Sequence, residues 1–304
     1  MGELLGLLVL LLVALLVVVV MLSAIVAGRA VRPPRHTVGY AVAHGLAADP
    51  GERGLEFEAW TLERPDGATL AVWEVRTDQR SAISDRGPRT GNRQPLTAVF
   101  VHGWGQSRID MLARIEPWDA LCDRLVLYDL RGHGETQGGP SRLGHGEERD
   151  LLALLERLGE GPVVLVGYSM GAVIAIEAAA RAAAPGGIIG VVAYAPYCDF
   201  HESLRRRMRS GDYPARPVTD LAILWLRLGG VRHRAMIRAV SALGTPLLVV
   251  AGTEDRLHGL EDARRIVEAA TSATLYEQPG DRHSDPRVAD EHDEAVRAFV
   301  KRLR

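Results

Sequence analysis

Pro162-Val163-Val164-Leu165-Val166 runs without interruption into Gly167-Tyr168-Ser169-Met170-Gly171, and Ala172-Val173-Ile174-Ala175 follows. The apolar run suits a strand covered on both faces, and the small-residue segment after Ser169 suits a helix. The junction between them fits G-x-S-x-G. As a bare pattern this is weak, and its bland alternative is a turn serine capping a helix. The strand-to-helix context changes its weight. Two glycines let the backbone turn sharply, which lifts the serine hydroxyl above the sheet edge and sets the Met170 N–H at a helix start.

Outward from this junction, short apolar runs alternate with helical stretches. Strands are expected at Leu96 to Val101, Arg124 to Tyr128, Pro162 to Val166, Gly190 to Tyr194, Pro246 to Ala251 and Thr274 to Glu277. Helices are expected near Arg108 to Cys122, Gly146 to Leu158, Met170 to Ala183, Glu261 to Ala270 and Ala289 to Leu303. Such alternation predicts an α/β fold, a mostly parallel twisted sheet with helices on both faces. Ahead of it, Leu55 to Trp60 and Thr69 to Val75 flank Pro65-Asp66-Gly67, which predicts an antiparallel hairpin. Asp78 to Gln94 is polar and aperiodic and reads as an exposed loop.

In a sheet of this kind, chemistry gathers at the carboxyl ends of the strands. A serine hydroxyl needs a base to become a nucleophile near neutral pH. His283, after the last strand in Gly280-Asp281-Arg282-His283-Ser284, is the candidate. An acid to orient it is expected one strand earlier, in Gly252-Thr253-Glu254-Asp255-Arg256, with Asp255 preferred and Glu254 or Asp199 as alternatives. Alone, any one of ten histidines is more often a surface or core residue. Three chemically complementary groups at successive strand ends weigh the other way. After the first parallel strand, Val101-His102-Gly103-Trp104-Gly105 offers the Trp104 N–H beside that of Met170 as an oxyanion hole. The charged side chains of Asp129-Leu130-Arg131-Gly132-His133-Gly134 are assigned to loop bracing.

With these segments in this order, the chain resembles the α/β-hydrolase superfamily over roughly Leu55 to Arg304. Its apolar start is similar to that of membrane-tethered members such as the Bem46-like serine hydrolases. The resemblance implies an α/β-hydrolase fold with Ser169 as nucleophile, His283 as base and Asp255 as acid, with no cofactor. Serine at the elbow argues against dehalogenase or epoxide hydrolase chemistry, which uses aspartate there. One departure is Arg282, where the family commonly has glycine before its histidine.

Composition narrows the partners. The 304 residues carry 36 basic and 38 acidic side chains, a net charge of -2, so no global positive field exists to hold nucleic acid. Cys122 and Cys198 are read as plain thiols, the first in a helix and the second in a loop. Leu4 to Gly28 holds no charged residue, and about 20 apolar residues suffice to cross a bilayer. A cleaved signal peptide is the rival reading. It usually has a basic start and a shorter apolar centre, whereas this chain begins Met1-Gly2-Glu3. Residues 1–30 are therefore expected to be a transmembrane anchor, residues 31–54 a tether broken by Pro33 and Pro34, and residues 55–304 the hydrolase domain. Arg29, Arg32 and Arg35 after the span place that domain on the cytoplasmic side of the cell membrane.

The segment 199–243 is too long for a tight connection and is expected to form a small helical lid. It carries nine arginines against Asp199, Glu202, Asp212 and Asp220, with an apolar stretch Leu221 to Leu228. Contact with anionic headgroups and a small-molecule or lipid acyl substrate is one reading, and a solvated arginine face over a core helix is the other. His283 and His292 lack metal-ligand spacing, so no metal is expected. The favoured reading is a serine hydrolase acting on a carboxylic ester or thioester. Alternatives are an acyltransferase or serine peptidase of the same fold, or a non-catalytic ligand-binding or scaffold protein.

Overall fold

The structure, a computed structural model, describes residues 1–77, 94–181, 187–211, 216–232, 236–283 and 290–304. Of the loop expected from Asp78 to Gln94, all but Gln94 lies outside the described residues.

The strands are β1 (Phe57–Glu63), β2 (Thr69–Arg76), β3 (Thr97–Val101), β4 (Arg124–Tyr128), β5 (Val163–Tyr168), β6 (Ile188–Tyr194), β7 (Leu247–Gly252) and β8 (Ala273–Gln278). Among the described residues they form one sheet in the order β1-β2-β4-β3-β5-β6-β7-β8. The β1–β2 hairpin joins antiparallel to β4, and every later pair is parallel. The helices are α1 (Gly2–Ala30), α2 (Val38–His44), α3 (Arg108–Met111), α4 (Glu116–Asp119), α5 (Glu148–Leu158), α6 (Met170–Arg181), α7 (Phe200–Ser210), α8 (Val218–Leu228), α9 (Met236–Ser241), α10 (Leu260–Ala269) and α11 (Asp290–Arg302). This is the α/β-hydrolase fold.

The two-residue period of a strand divides the core cleanly. Val99, Val101, Leu165 and Val191 face one way and pack with α5, α6 and α10, whereas Ala98, Phe100, Val164, Val166 and Val192 face the other and meet α11. Each fully buried aliphatic side chain contributes roughly 1.5–3 kcal/mol. The helix expected over Arg108 to Cys122 is broken instead into α3, a 3-10 turn at Leu112–Arg114 and α4. Pro117 stands in the first turn of α4 and supplies no backbone N–H, so a longer helix would lose a rung there. In consequence Cys122 lies just past α4 in non-helical backbone, buried, and not in a helix. Cys198 is in a loop, as expected.

The first helix, α1, is apolar on every face and long enough to cross a membrane. Its buried residues are Ser23, Ala27 and Ala30, at helical spacing on one face of the last two turns. Those turns dock against α8 of the 199–243 segment: Ala27 and Ala30 pack with Ala222, Ile223 and Leu226, and Trp225 Nε1 donates to Ser23 Oγ at 3.0 Å. The chain after α1 is pinned as well. Val31 O accepts from Ser141 N at 2.9 Å, and His36 Nδ1 lies 2.9 Å from Asp110 Oδ2. Ala41 of α2 is buried in the core beside Ala48 and Leu55.

Candidate active site

Ser169 stands between β5 and α6 with φ of 54°, the left-handed region that non-glycine residues seldom occupy. The neighbouring glycines make the turn possible. A Cβ on Gly167 would lie 2.4 Å from Gly171 O, and one on Gly171 would lie 2.0 Å from Val101 O. Such a locally strained residue, over-determined by its surroundings, is a common feature of functional sites. Ser169 N is tied to Tyr194 O at 2.8 Å, which fixes the turn against the end of β6.

The structure brings His283 and Asp255 to this serine. His283 Nε2 lies 3.1 Å from Ser169 Oγ, and His283 Nδ1 lies 2.8 Å from Asp255 Oδ2. Asp255 Oδ1 accepts from the backbone N–H groups of Leu257 and His258 at 2.8 and 2.9 Å. Burial pushes the Asp255 carboxyl up, but the His283 hydrogen bond and charge and the His258 amide together bring it below the ordinary aspartate range. An ionised Asp255 accepts a hydrogen bond from Nδ1–H, leaving Nε2 as the acceptor facing Ser169. Neither alternative acid reaches this imidazole. Glu254 pairs with Arg282 at 3.7 Å, and Asp199 caps α7 by accepting from Glu202 N at 2.9 Å.

Gly103 and Trp104 follow β3 on the other side of the serine; Gly103 N donates to Gln106 Oε1 at 3.0 Å. Among the described residues, the backbone N–H groups of Trp104 and Met170 meet no protein acceptor. The Asp129 loop braces this region, as its sequence suggests. Asp129 Oδ1 accepts from Arg108 N at 2.7 Å, Oδ2 accepts from Glu135 N at 2.8 Å, and Arg131 bridges Asp66 and Asp150.

His258 had no distinguishing sequence signal. It is buried, edge-on to His283 with ring centroids 4.3 Å apart. Burial, with the charge of His283, holds its pKa down to about 3, so the ring is neutral. Its Nδ1 lies 3.0 Å from Ala195 O and its Nε2 2.7 Å from Ser203 Oγ. It therefore joins the loop bearing Asp255 to α7. Asp255, His258 and His283 place potential metal-ligating atoms within 4.8 Å of one another. Both nitrogens of each ring already have protein partners, so a metal would have to displace this network. The side chain of His292 lies outside the described residues.

Two cavities meet at Ser169. One, about 450 Å³, is walled by Leu22, Ile25 and Val26 of α1 and by Phe200, Leu204 and Met208 of α7. The other, about 130 Å³, is polar and reaches Gln106, Arg114, Arg282 and His283. Trp104, Ser169 and Arg207 line both.

Known proteins share this fold. The alpha/beta hydrolase family model matches residues 98–299. The chain is 27% identical over 184 residues to the uncharacterised protein YqkD of Bacillus subtilis, a match spanning 57% of this chain and 60% of that protein. It is 25% identical over 251 residues to the uncharacterised Mycobacterium tuberculosis protein Rv2307c, covering 79% of this chain and 77% of the relative. Among solved structures, the Pyrococcus furiosus esterase Pf2001 superposes with a TM-score of 0.68 at 19% identity, covering 89% of this chain and 98% of the esterase. A bacterial membrane phospholipase A described as a virulence factor superposes with a TM-score of 0.60 at 17% identity, covering 100% of this chain and 99% of that structure. On a family match that covers about two thirds of its length, with the fold in agreement, this chain belongs to the alpha/beta hydrolase family.

Proposed function

We propose that the chain is a membrane-anchored serine hydrolase, related to the Bem46-like members, that cleaves a carboxylic ester or thioester through an acyl-enzyme. The observation that carries this reading is the continuous hydrogen-bonded line from Asp255 Oδ2 through His283 to Ser169 Oγ, at 2.8 and 3.1 Å. His283 Nε2 takes the hydroxyl proton as Ser169 Oγ attacks the carbonyl carbon. The Trp104 and Met170 amides receive the oxyanion, and Asp255 stabilises the imidazolium. His283 then returns its proton to the departing alkoxide or thiolate. Water, activated by the same imidazole, attacks the acyl-serine and releases the acid. No step requires a cofactor. Esterases among the structural neighbours support ester chemistry. The long apolar α1 supports a place in the cell membrane, and Arg29, Arg32 and Arg35 at its end support a cytoplasmic catalytic domain.

The test is fluorophosphonate labelling of the full-length chain beside Ser169→Ala, with turnover of short neutral esters. Labelling of the native chain alone is expected, with kcat reduced by about three orders of magnitude or more in the variant. Equal labelling of both would remove Ser169 from its role. Faster transfer to an added alcohol than to water would mark an acyltransferase.

A further inference from the structure

The larger cavity at Ser169 is built partly from the apolar helix. Leu22, Ile25, Val26, Arg29 and Ala30 fall on one face of α1 and form its wall over about two helical turns, roughly 12 Å. The Ala30 end of that stripe is bonded to Trp104 beside the nucleophile, Nε1 to O at 2.7 Å. At its other end Leu22 is 42% and Ile25 52% exposed, so the cavity wall continues into the outer apolar surface of α1. Leu224, Trp225 and Leu228 of the adjoining α8 extend that surface. An acyl chain lying along the stripe would pass from a bilayer toward Ser169 with its methylenes against Leu22, Ile25, Val26 and Ala30, beside Arg29.

The other cavity is polar, and its cations differ in their partners. Four of the nine arginines of the 199–243 segment have carboxylate partners among the described residues: Arg205 and Arg216 share Asp220, Arg206 meets Asp262 and Arg209 meets Glu202. Arg207 turns inward over the Trp104 ring, 4.9 Å from its centroid, and among the described residues its guanidinium has no ion pair or hydrogen bond. Burial lowers its pKa, although a guanidinium stays charged, so it bears a desolvation cost that an arriving anion would offset. Across the cavity Arg114 lies over the Tyr168 ring at 4.2 Å. Of the carboxylates lining the same space, Asp255 is engaged by His283, and Asp281 is the other.

We propose that the substrate is a bilayer-resident acyl ester of a phosphate-bearing alcohol, with its acyl chain along the Leu22–Ala30 face of α1 and its phosphate held by Arg207 and Arg114. This rests on the serine-hydrolase reading above and gives the anchor a second role as one wall of the substrate site. Arginine suits the headgroup because its planar fork matches phosphate oxygens.

The test uses the full-length chain in vesicles of non-hydrolysable ether phosphatidylcholine, with four substrates: butanoyl and palmitoyl esters of glycerol and of glycerol phosphate. In the native chain the phosphate should raise kcat/KM roughly tenfold or more, the scale of one charged hydrogen bond. Arg207→Met, which keeps the stem over Trp104, should erase that factor at both chain lengths. Ile25→Trp should lower palmitoyl against butanoyl turnover roughly tenfold and leave the phosphate factor unchanged. Leu16→Trp, on α1 away from the cavity, should change neither ratio.

A phosphate factor near one in the native chain, or one that survives Arg207→Met, would overturn the headgroup assignment. An unaltered palmitoyl-to-butanoyl ratio in Ile25→Trp would overturn the acyl path. If phosphate accelerates the butanoyl ester while Ile25→Trp has no effect, the substrate is a soluble phosphate ester and the bilayer route is wrong. Butanoylglycerol hydrolysis by the native chain reports the hydrolase reading separately, so either can fail without the other.

Discussion

The indole Nε1 of Trp104 donates a 2.7 Å hydrogen bond to the carbonyl oxygen of Ala30, the last residue of α1. One residue thus fastens the apolar helix and carries the Arg207 guanidinium over its ring, and in the proposed mechanism its backbone N–H also receives the oxyanion. Trp104→Phe removes the donor and keeps most of the ring. Loss of about 1 kcal/mol is expected, read as a fall in melting temperature of about 2–4 °C for a chain of this size. An unchanged melting temperature would mean that the bond adds nothing to stability.

Asp255→Asn keeps the shape of the buried side chain but removes the charge that holds the His283 Nδ1 proton. Within the proposed mechanism, kcat should fall about 10³- to 10⁴-fold with KM nearly constant. Steady-state kinetics on a short neutral ester read this directly; a loss of less than about tenfold would point to another acid.

Gly171 and Gly39 make opposite forecasts for the same substitution. A methyl on Gly171 would run into Val101 O, so Gly171→Ala should prevent stable folding or remove labelling at Ser169. Gly39, in the first turn of α2, has Thr37 Oγ1 at 3.8 Å as the nearest atom to an added Cβ. Gly39→Ala should therefore stabilise by up to about 1 kcal/mol in a denaturant titration.

Acidification from pH 6.5 to 5 should weaken the fold. Burial holds His258 and His133 at about 3 against 6.5 in an open chain. The stability each gives is complete above pH 6.5 and is lost as the pH falls toward 3, because only the unfolded chain takes up the proton. Glu147 opposes them: burial raises it from 4.5 to about 7, so the fold binds that proton more tightly across the same window. His102, fully buried and likewise lowered by desolvation, acts in the same direction as the other histidines, so together they outweigh the one carboxyl, by on the order of 1 kcal/mol per pH unit. Guanidinium unfolding at pH 6.5 and 5.5 measures it, and a rise in stability on acidification would contradict the assignment.

Local signals carried much of the fold. β4 occupies the residues its apolar run indicates, Arg124–Tyr128, and β3, β5, β6 and β7 differ from expectation by one or two residues at their ends. Continuous apolar runs and strand-end glycines are written in neighbouring residues, so their meaning survives without tertiary context. The short range of α4 was set by one proline inside an otherwise helical pattern. The role of His258 depends on Ala195 and Ser203, far away in the chain, and no local pattern distinguishes it from nine other histidines. Arg207 is equally hidden. It stands in a run of three arginines, and only the helical rotation of α7 decides that it turns toward Trp104 while Arg206 turns toward Asp262.

The pinned passage from α1 into the domain has a kinetic corollary. With Val31, His36 and Trp104 all fastened to the body of the protein, there is no slack cord on which the domain could swing. If α1 crosses the bilayer as proposed, the nucleophile is held at one height above it, and encounters become a search in two dimensions. Turnover should then track the mole fraction of substrate in the surface, and diluting the vesicles at fixed composition should leave the rate per protein unchanged.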